Sequence, residues 1–307
     1  MNTSLTAFTT KNGITISIIA KDFICADVGD RISTVSDYEK SINFARGTIQ
    51  NSIKVLTLSG AVKLESRGAL GTFIKEKDLT LLLQYAQITF LIGIMPLPYT
   101  RIYQGLATGI LHTLQANLVI PVNMAYMRGA QKRADMIVNN RFDFAITSKY
   151  AALEYIKENS DIEIIQEFGD YTFLYNHVLI FADKSEDRIK SGMKIGVDYD
   201  SIDQSMLTKK VCEGLDVEFV SIQYNQLIEK LLHNEIDATV WSSDEVKHLS
   251  HFNIQPIMRE NADNTIAVII INKERQELTR LIGQMINPEE VRSIQNKVIN
   301  EEMLPSY

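Results

Sequence analysis

The sequence predicts an α/β protein in two parts, a small winged helix-turn-helix unit followed by a bilobal α/β domain. Three observations predict it. Two segments of helical period meet at Asn43. A glycine pair, Gly68 and Gly71, then separates two alternating runs. From Ile88 onward, short apolar runs alternate with helical ones.

The 307 residues exceed one ordinary core and fit two domains. With 45% apolar and 22% charged residues, the composition is that of a globular protein rather than a disordered one. The start, Met1 to Thr6, shows no basic region or apolar run of an export signal. No stretch approaches the roughly 20 apolar residues of a membrane span, and Ile266 to Ile271 reads as a buried strand. Cys25 and Cys212 fit no disulfide or ligand pattern, so reduced thiols and a cytoplasmic location are expected.

A net charge of −7 argues against a nucleic-acid partner, but its distribution argues for one. Residues 1–77 carry ten Lys or Arg against seven Asp or Glu, whereas the rest carries 21 against 31. Between residues 40 and 77 seven basic side chains face only Glu65 and Glu76. Phosphate contacts depend on this local charge rather than on the whole-chain sum.

Taken in order, Ile16, Ile19, Ala20 and Phe23 stripe a first helix over residues 14–27, which Gly29-Asp30 ends. Thr34 or Ser36 caps a short helix through Ile42, and Asn43 supplies a left-handed turn. The next helix, Ala45 to Ser59, turns Ile49, Ile53, Leu56 and Leu58 inward and leaves Arg46, Gly47, Thr48, Gln50, Asn51 and Lys54 outside. Arg46 and Gln50 can pair with base edges, while Gly47 and Thr48 let the backbone approach phosphate. Val62–Ser66 and Thr72–Ile74 form a hairpin wing with Arg67 at its tip. Arg46 could instead pair with a nearby acid and the hairpin could merely shelter a core. The ordered set of helix, turn, helix and wing favours double-stranded DNA.

Gly29–Ser33, Asn43–Gln50, Leu58–Val62 and Gly68–Ile74 resemble the GntR-like winged helix-turn-helix family. That resemblance implies DNA contacts from Arg46, Thr48, Arg67 and Gly68, and adds Arg31 and Ser36 as candidates. Two positions depart from the pattern: Ser36 stands where the family has an arginine, and Ala45 where it has a capping Ser or Thr.

Glu76 to Ala86 reads as a linking helix that joins the domains or packs against its copy in a dimer. Two strand-helix series follow, 88–147 and 194–241, separated by an extended stretch from Ile162 to Phe181. They predict two lobes with parallel sheets. One helix is expected from Asn225. The strand Thr265–Ile271 and two last helices return to the first lobe, as in hinged bilobal solute-binding proteins. Boundaries follow: 1–77 for the winged helix, 78–87 for the linking helix, and 88–307 for the effector domain. Lobe 1 then spans about 88–181 and 262–307, and lobe 2 about 182–261.

Gly93–Arg101 and Asn140–Ser148 resemble the YhfZ family of GntR-like regulators, which couples this winged helix to a periplasmic-binding-protein-like (type II) effector domain. Ligands of open α/β sheets sit at the strands' carboxyl ends. The candidates there are Pro98, Tyr99, Thr100 and Arg101; Tyr126 and Arg128; Thr147 and Ser148; Asp200 and Ser201; and Trp241, Ser242 and Ser243. Hydroxyls beside helix starts and three cations in these loops, Arg101, Arg128 and Lys149, point to a small anionic or zwitterionic effector.

The expected protein is a dimeric, ligand-responsive transcriptional regulator reading a near-palindromic operator, with DNA, effector and a second copy as partners and no membrane. No cofactor or metal is expected. An enzyme on the bilobal scaffold is the alternative, but His112, His177, His233, His248 and His251 are scattered and no nucleophile or phosphate-loop motif stands out.

Overall fold

The computed structural model describes residues 10–223, 226–246, 250–257 and 262–307. Met1 to Thr6, the expected helix start at Asn225, and His248 lie outside the described residues. The chain forms two compact units.

In the first unit, α1 (Lys11–Cys25) is capped by Thr10, whose hydroxyl accepts from Gly13 N. Its buried face is Thr15, Ile19, Ala20, Phe23 and Ile24, with Ile16 only half-buried. α2 (Val35–Ile42) opens with a capping box, in which Thr34 accepts from Asp37 N and Asp37 accepts from Thr34 N. Asn43, at φ 53°, makes the left-handed turn into α3 (Arg46–Leu58). Ile49, Ser52 and Leu56 face inward. Leu58 does not, being 76% exposed: two positions beyond Leu56, it falls about 200° further round the helix.

β1 (Val62–Ser66) and β2 (Thr72–Lys77) form the antiparallel wing. Arg31 adds a bridge to Phe73 at its edge. α4 (Leu79–Tyr85), expected as a linking helix, belongs to this unit's core: Leu82 and Leu83 are fully buried, and Ser17 donates to Ala86 O at 3.1 Å. The unit also recruits residues 118–121 and 275–284. Most of the helix Gln276–Met285 therefore packs here, with Glu277 3.2 Å from Lys21 and Arg280 paired to Asp27. The compact unit thus runs past the expected boundary at 77–88, to Leu91. An amphipathic pattern tells that a helix buries a face, not which core receives it.

The second unit holds two five-stranded sheets. The first lobe contains β3 (Leu91–Met95), α5 (Arg101–Asn117), β4 (Val122–Tyr126), α6 (Ala130–Val138), β5 (Phe144–Ser148), α7 (Lys149–Glu158) and β6 (Ile162–Glu167). The second contains β7 (His177–Phe181), β8 (Lys194–Val197), α8 (Ile202–Val211), β9 (Glu218–Ser221), α9 (Leu227–Leu232), β10 (Ala238–Ser242), α10 (Ser243–Val246) and β11 (Asn253–Pro256). β12 (Ala267–Asn272) then returns to the first sheet; α11 is the helix Gln276–Met285 described above, and α12 (Pro288–Ile299) closes the first lobe.

The sheet orders are β4-β3-β5-β12-β6 and β11-β7-β10-β8-β9. Read from β9, the second repeats the first. Each sheet receives one strand that has just crossed from the other lobe, β7 after β6 and β12 after β11. That strand runs antiparallel to both its neighbours. The sheets are thus mixed, not parallel as expected, because a strand entering from the opposite lobe has no covering helix to turn it round. The extended stretch 162–181 resolves into β6 and β7. Since β7 pairs with β10 and β11, the lobe boundary falls before His177 rather than after Phe181.

Glycines let α5 and α12 approach closely. A Cβ at Gly105 would lie 2.7 Å from Gln295 O, and one at Gly109 2.6 Å from Val291 O. Buried Gln295 then donates to Ile102 O and Thr172 O, tying α12 to α5 and to the first crossover.

Candidate DNA-binding and ligand-binding sites

In the first unit, Arg46, Gly47 and Gln50 are exposed at the start of α3 and Thr48 is half-buried. The N-cap, Ala45, offers no side-chain hydrogen bond. Thr48 N–H donates to Ala45 O at 2.9 Å, so the N–H groups of Arg46 and Gly47 are the ones offered to a phosphate, where the helix dipole favours negative charge. A Cβ on Gly47 would meet nothing within 4 Å, so a strand can approach the backbone there. Arg46 lies 3.7 Å from Glu39 with most of its side chain in solvent. Such a pair contributes at most about 1 kcal/mol and yields readily to a phosphate.

Arg67 at the wing tip is held 2.8 Å from Glu65 and lies over the Phe73 ring at 4.5 Å. Gly68, at φ 57°, makes the turn, and Arg31 passes beside Gly71, where a Cβ would lie 2.5 Å from its Nε. Arg31 and Arg67 therefore converge on the wing. Ser36 is exposed on the first turn of α2.

In the second unit, the carboxyl ends of β8 and β10 meet the start of α5 and the first crossover around a cavity of about 70 Å³. Of the expected residues, Thr100, Ser201, Trp241 and Ser242 line it. An adjoining cavity of about 100 Å³ takes in Tyr99 and Arg128 and shares Tyr103, Phe173, Asp198, Ser201 and Asp203 with the first. The other candidates line neither cavity. Arg101 reaches Glu301 at 3.4 Å, and Pro98 O accepts from Gln104. Tyr126 stacks edge-on with Tyr307, its hydroxyl pushed up to about 12 by burial. Thr147 is buried in β5, Asp200 pairs with Lys132 at 2.6 Å, and Ser243 opens α10. Ser148 lies beneath the site: it caps α7 and its hydroxyl donates to Asp203 at 2.8 Å.

Those last contacts join the lobes. Arg128 meets Asp198 at 2.7 Å, Lys132 meets Asp200, and Ser148 meets Asp203, each pair spanning the cleft. Gln204 secures the floor from below, accepting from Asp198 N and donating to Val240 O. Arg133, fully buried, donates to Ile146 O and Met127 O; burial brings its guanidinium down to about 10.

The residues that sequence reasoning missed are mainly acidic and aromatic. Tyr103, Phe173, His177, Asp198, Asp203 and Glu245 all line the cavity, together with Asp244 from the expected loop Trp241–Asp244. Asp198 ends a predicted strand and Asp244 follows Ser243 in a strand-end loop, so both had a positional signal. Glu245 and Phe173 had none. Burial raises Asp203 above the ordinary carboxylate range, with His177 and Ser148 opposing it. Burial alone pushes the Glu245 carboxyl up to about 7.

Fold and site together define a helix-turn-helix protein that carries a two-lobed, type II binding-protein-like domain. Residues 27–74 match the family described as a helix-turn-helix domain, and residues 78–307 match the YhfZ C-terminal domain. The chain belongs to the YhfZ family. It is 28% identical to YhfZ of Escherichia coli K12 over 98% of this chain and 99% of that one. The crystal structure of YhfZ from Shigella flexneri superposes with a TM-score of 0.61 at 27% identity, covering 74% of this chain and 97% of that one. An ancestral arginine-binding protein bound to arginine follows the same fold, with a TM-score of 0.53 at 15% identity over 69% of this chain and 97% of that one. So does the aliphatic sulphonate binding protein SsuA of Escherichia coli, at 0.52, 11% identity, and 69% and 75% coverage.

Proposed function

We propose that this chain is a ligand-responsive transcriptional regulator, GntR-like in its winged helix, that acts in the cytoplasm as a homodimer on a near-palindromic operator. A small molecule held between the two lobes of the C-terminal part is its effector. The observation that carries the reading is the open start of α3, where Arg46, Gly47 and Gln50 face outward in a chain that also builds a cleft cavity. Recognition helices of this type place their first turn in the major groove, and a dimer spaces two of them by about one helical turn of DNA.

α11 supports the coupling. It packs in the DNA-binding unit, yet the chain runs directly into it from β12, the strand that crosses from the second lobe to the first. A ligand that prefers one lobe arrangement then has a covalent route to the DNA-binding unit. A mobility-shift assay with DNA flanking the protein's own gene tests the DNA arm. Salt-sensitive binding that Arg46→Ala weakens is expected; equal binding by Arg46→Ala would sink the recognition-helix assignment.

A further inference from the structure

The cleft cavity has a charge character opposite to the one expected from the strand-end loops. Four carboxyl groups line it, Asp198, Asp203, Asp244 and Glu245, and neither Lys nor Arg does. The basic groups nearby are already committed. Arg128 holds Asp198 from the adjoining cavity, and Arg133 and His177 bear on Asp203. Glu245 is different: its Oε1 is shut off from solvent and has no hydrogen-bond partner among the described residues. It shares the cavity with the aromatic side chains of Tyr103, Phe173 and Trp241. Phe173 meets Tyr103 edge-on at 5.1 Å, and Trp241 is 4% exposed.

A half-buried carboxyl with one oxygen shut off from solvent, sharing a cavity with three aromatic rings, is poor company for an anion and good company for an organic cation. The ring faces attract positive charge, and a buried carboxylate without a donor is completed by an N⁺–H. We infer that the effector presents an ammonium group to this cavity, held by the Glu245 carboxylate and the Tyr103, Phe173 and Trp241 rings. The small volume limits that end of the ligand to a few heavy atoms. The source of the ammonium is either a simple amine or an amino acid; in the second case its carboxylate reaches the adjoining cavity and shares Arg128 with Asp198.

This inference rests on the proposed interlobe site but not on DNA binding, so the two fail separately. The test is calorimetric titration of the full chain, without DNA, with putrescine and ethanolamine as amines, glycine and 4-aminobutyrate as zwitterions, and succinate and phosphate as anions. Saturable binding of an amine or a zwitterion, with the anions silent, is expected. The two positive arms distinguish the sources. Glu245→Gln should weaken that binding roughly tenfold or more, since it keeps the shape and removes the charge. Binding of succinate or phosphate alone, silence of all six at millimolar concentration, or unchanged amine affinity in Glu245→Gln overturns the inference. Should that variant misfold, the charge selectivity of the unaltered chain still decides. If an amine binds and DNA affinity does not respond, the ligand assignment stands and the regulatory reading falls.

Discussion

Glu245 is the residue at which chemistry and stability meet. Its carboxyl titrates near pH 7 in the folded protein against an ordinary value of 4.5, because burial disfavours its charge. A carboxyl raised in the fold is held protonated there at pH values where the unfolded chain has already released the proton. Stability is therefore unaffected below about pH 4.5 and falls as pH rises toward 7. Leaving the charge uncompensated costs on the order of 3 kcal/mol at the upper end. Asp203 contributes in the same direction, and His177, Asp198 and Asp244 share the cavity, so the comparison that isolates Glu245 is with Glu245→Gln. Urea denaturation from pH 4.5 to 8 should show a shallower loss for that variant, and a crossover in which it becomes the more stable form near pH 8. Parallel curves would mean that the carboxyl is not the titrating group. Arg46 is the corresponding residue in the other unit. If its guanidinium exchanges Glu39 for a phosphate or base, Arg46→Ala lowers DNA affinity and reduces the slope of log K against log salt by about one. An unchanged slope would place the residue off the DNA.

At the scale of elements, the close approach of α5 and α12 gives a direct test. Gly109→Val forces side-chain atoms toward Val291 O, and overpacking of this kind costs about 1–3 kcal/mol, a drop visible in the melting temperature. Gly283→Ala in α11 is the contrasting case, since a Cβ there meets nothing within 4 Å; it should stabilise by roughly 0.5–1 kcal/mol through helix propensity. The elements themselves were largely legible. Thr34, Asp37, Asn43 and the Gly68–Gly71 pair act within a few residues of themselves, so the helix-turn-helix and the wing could be read from local chemistry. What could not be read is pairing at a distance. The return of Ala267–Asn272 to the first lobe was legible, but nothing local says that it runs antiparallel between β5 and β6, or that His177–Phe181 already belongs to the second lobe's sheet. The amphipathic stripe of α11 likewise does not name the DNA-binding unit as its partner. The cavity acids were obscured for the same reason. Asp203 and Glu245 sit near helix starts, where acids normally face solvent, and only the packing of a crossover and a second lobe buries them.

For the whole molecule, the charge asymmetry and the two units describe one division of labour. The basic excess of residues 40–77 lies in the unit that holds the wing and α3, with Lys77 turned to the carbonyls of Phe23, Ile24 and Ala26, while the acidic remainder includes the cleft whose aromatic lining suits a cation. The lobes are joined across the cleft by Arg128–Asp198 and Lys132–Asp200, pairs that a ligand must accommodate on entry. Arg128→Ala is expected to loosen that clasp and lower affinity for an amine or zwitterion, read by titration as a several-fold change with DNA binding in the absence of ligand unaltered. A loss of DNA binding in that variant would instead show that the clasp maintains the fold. The central claim, that a DNA-reading unit is placed under a small-molecule domain in one chain, is tested most directly by capture of genomic DNA fragments on the purified full chain, followed by sequencing. The account predicts enrichment of a near-palindromic site by the native chain and its loss with Arg46→Ala; enrichment of no sequence above that variant would contradict it.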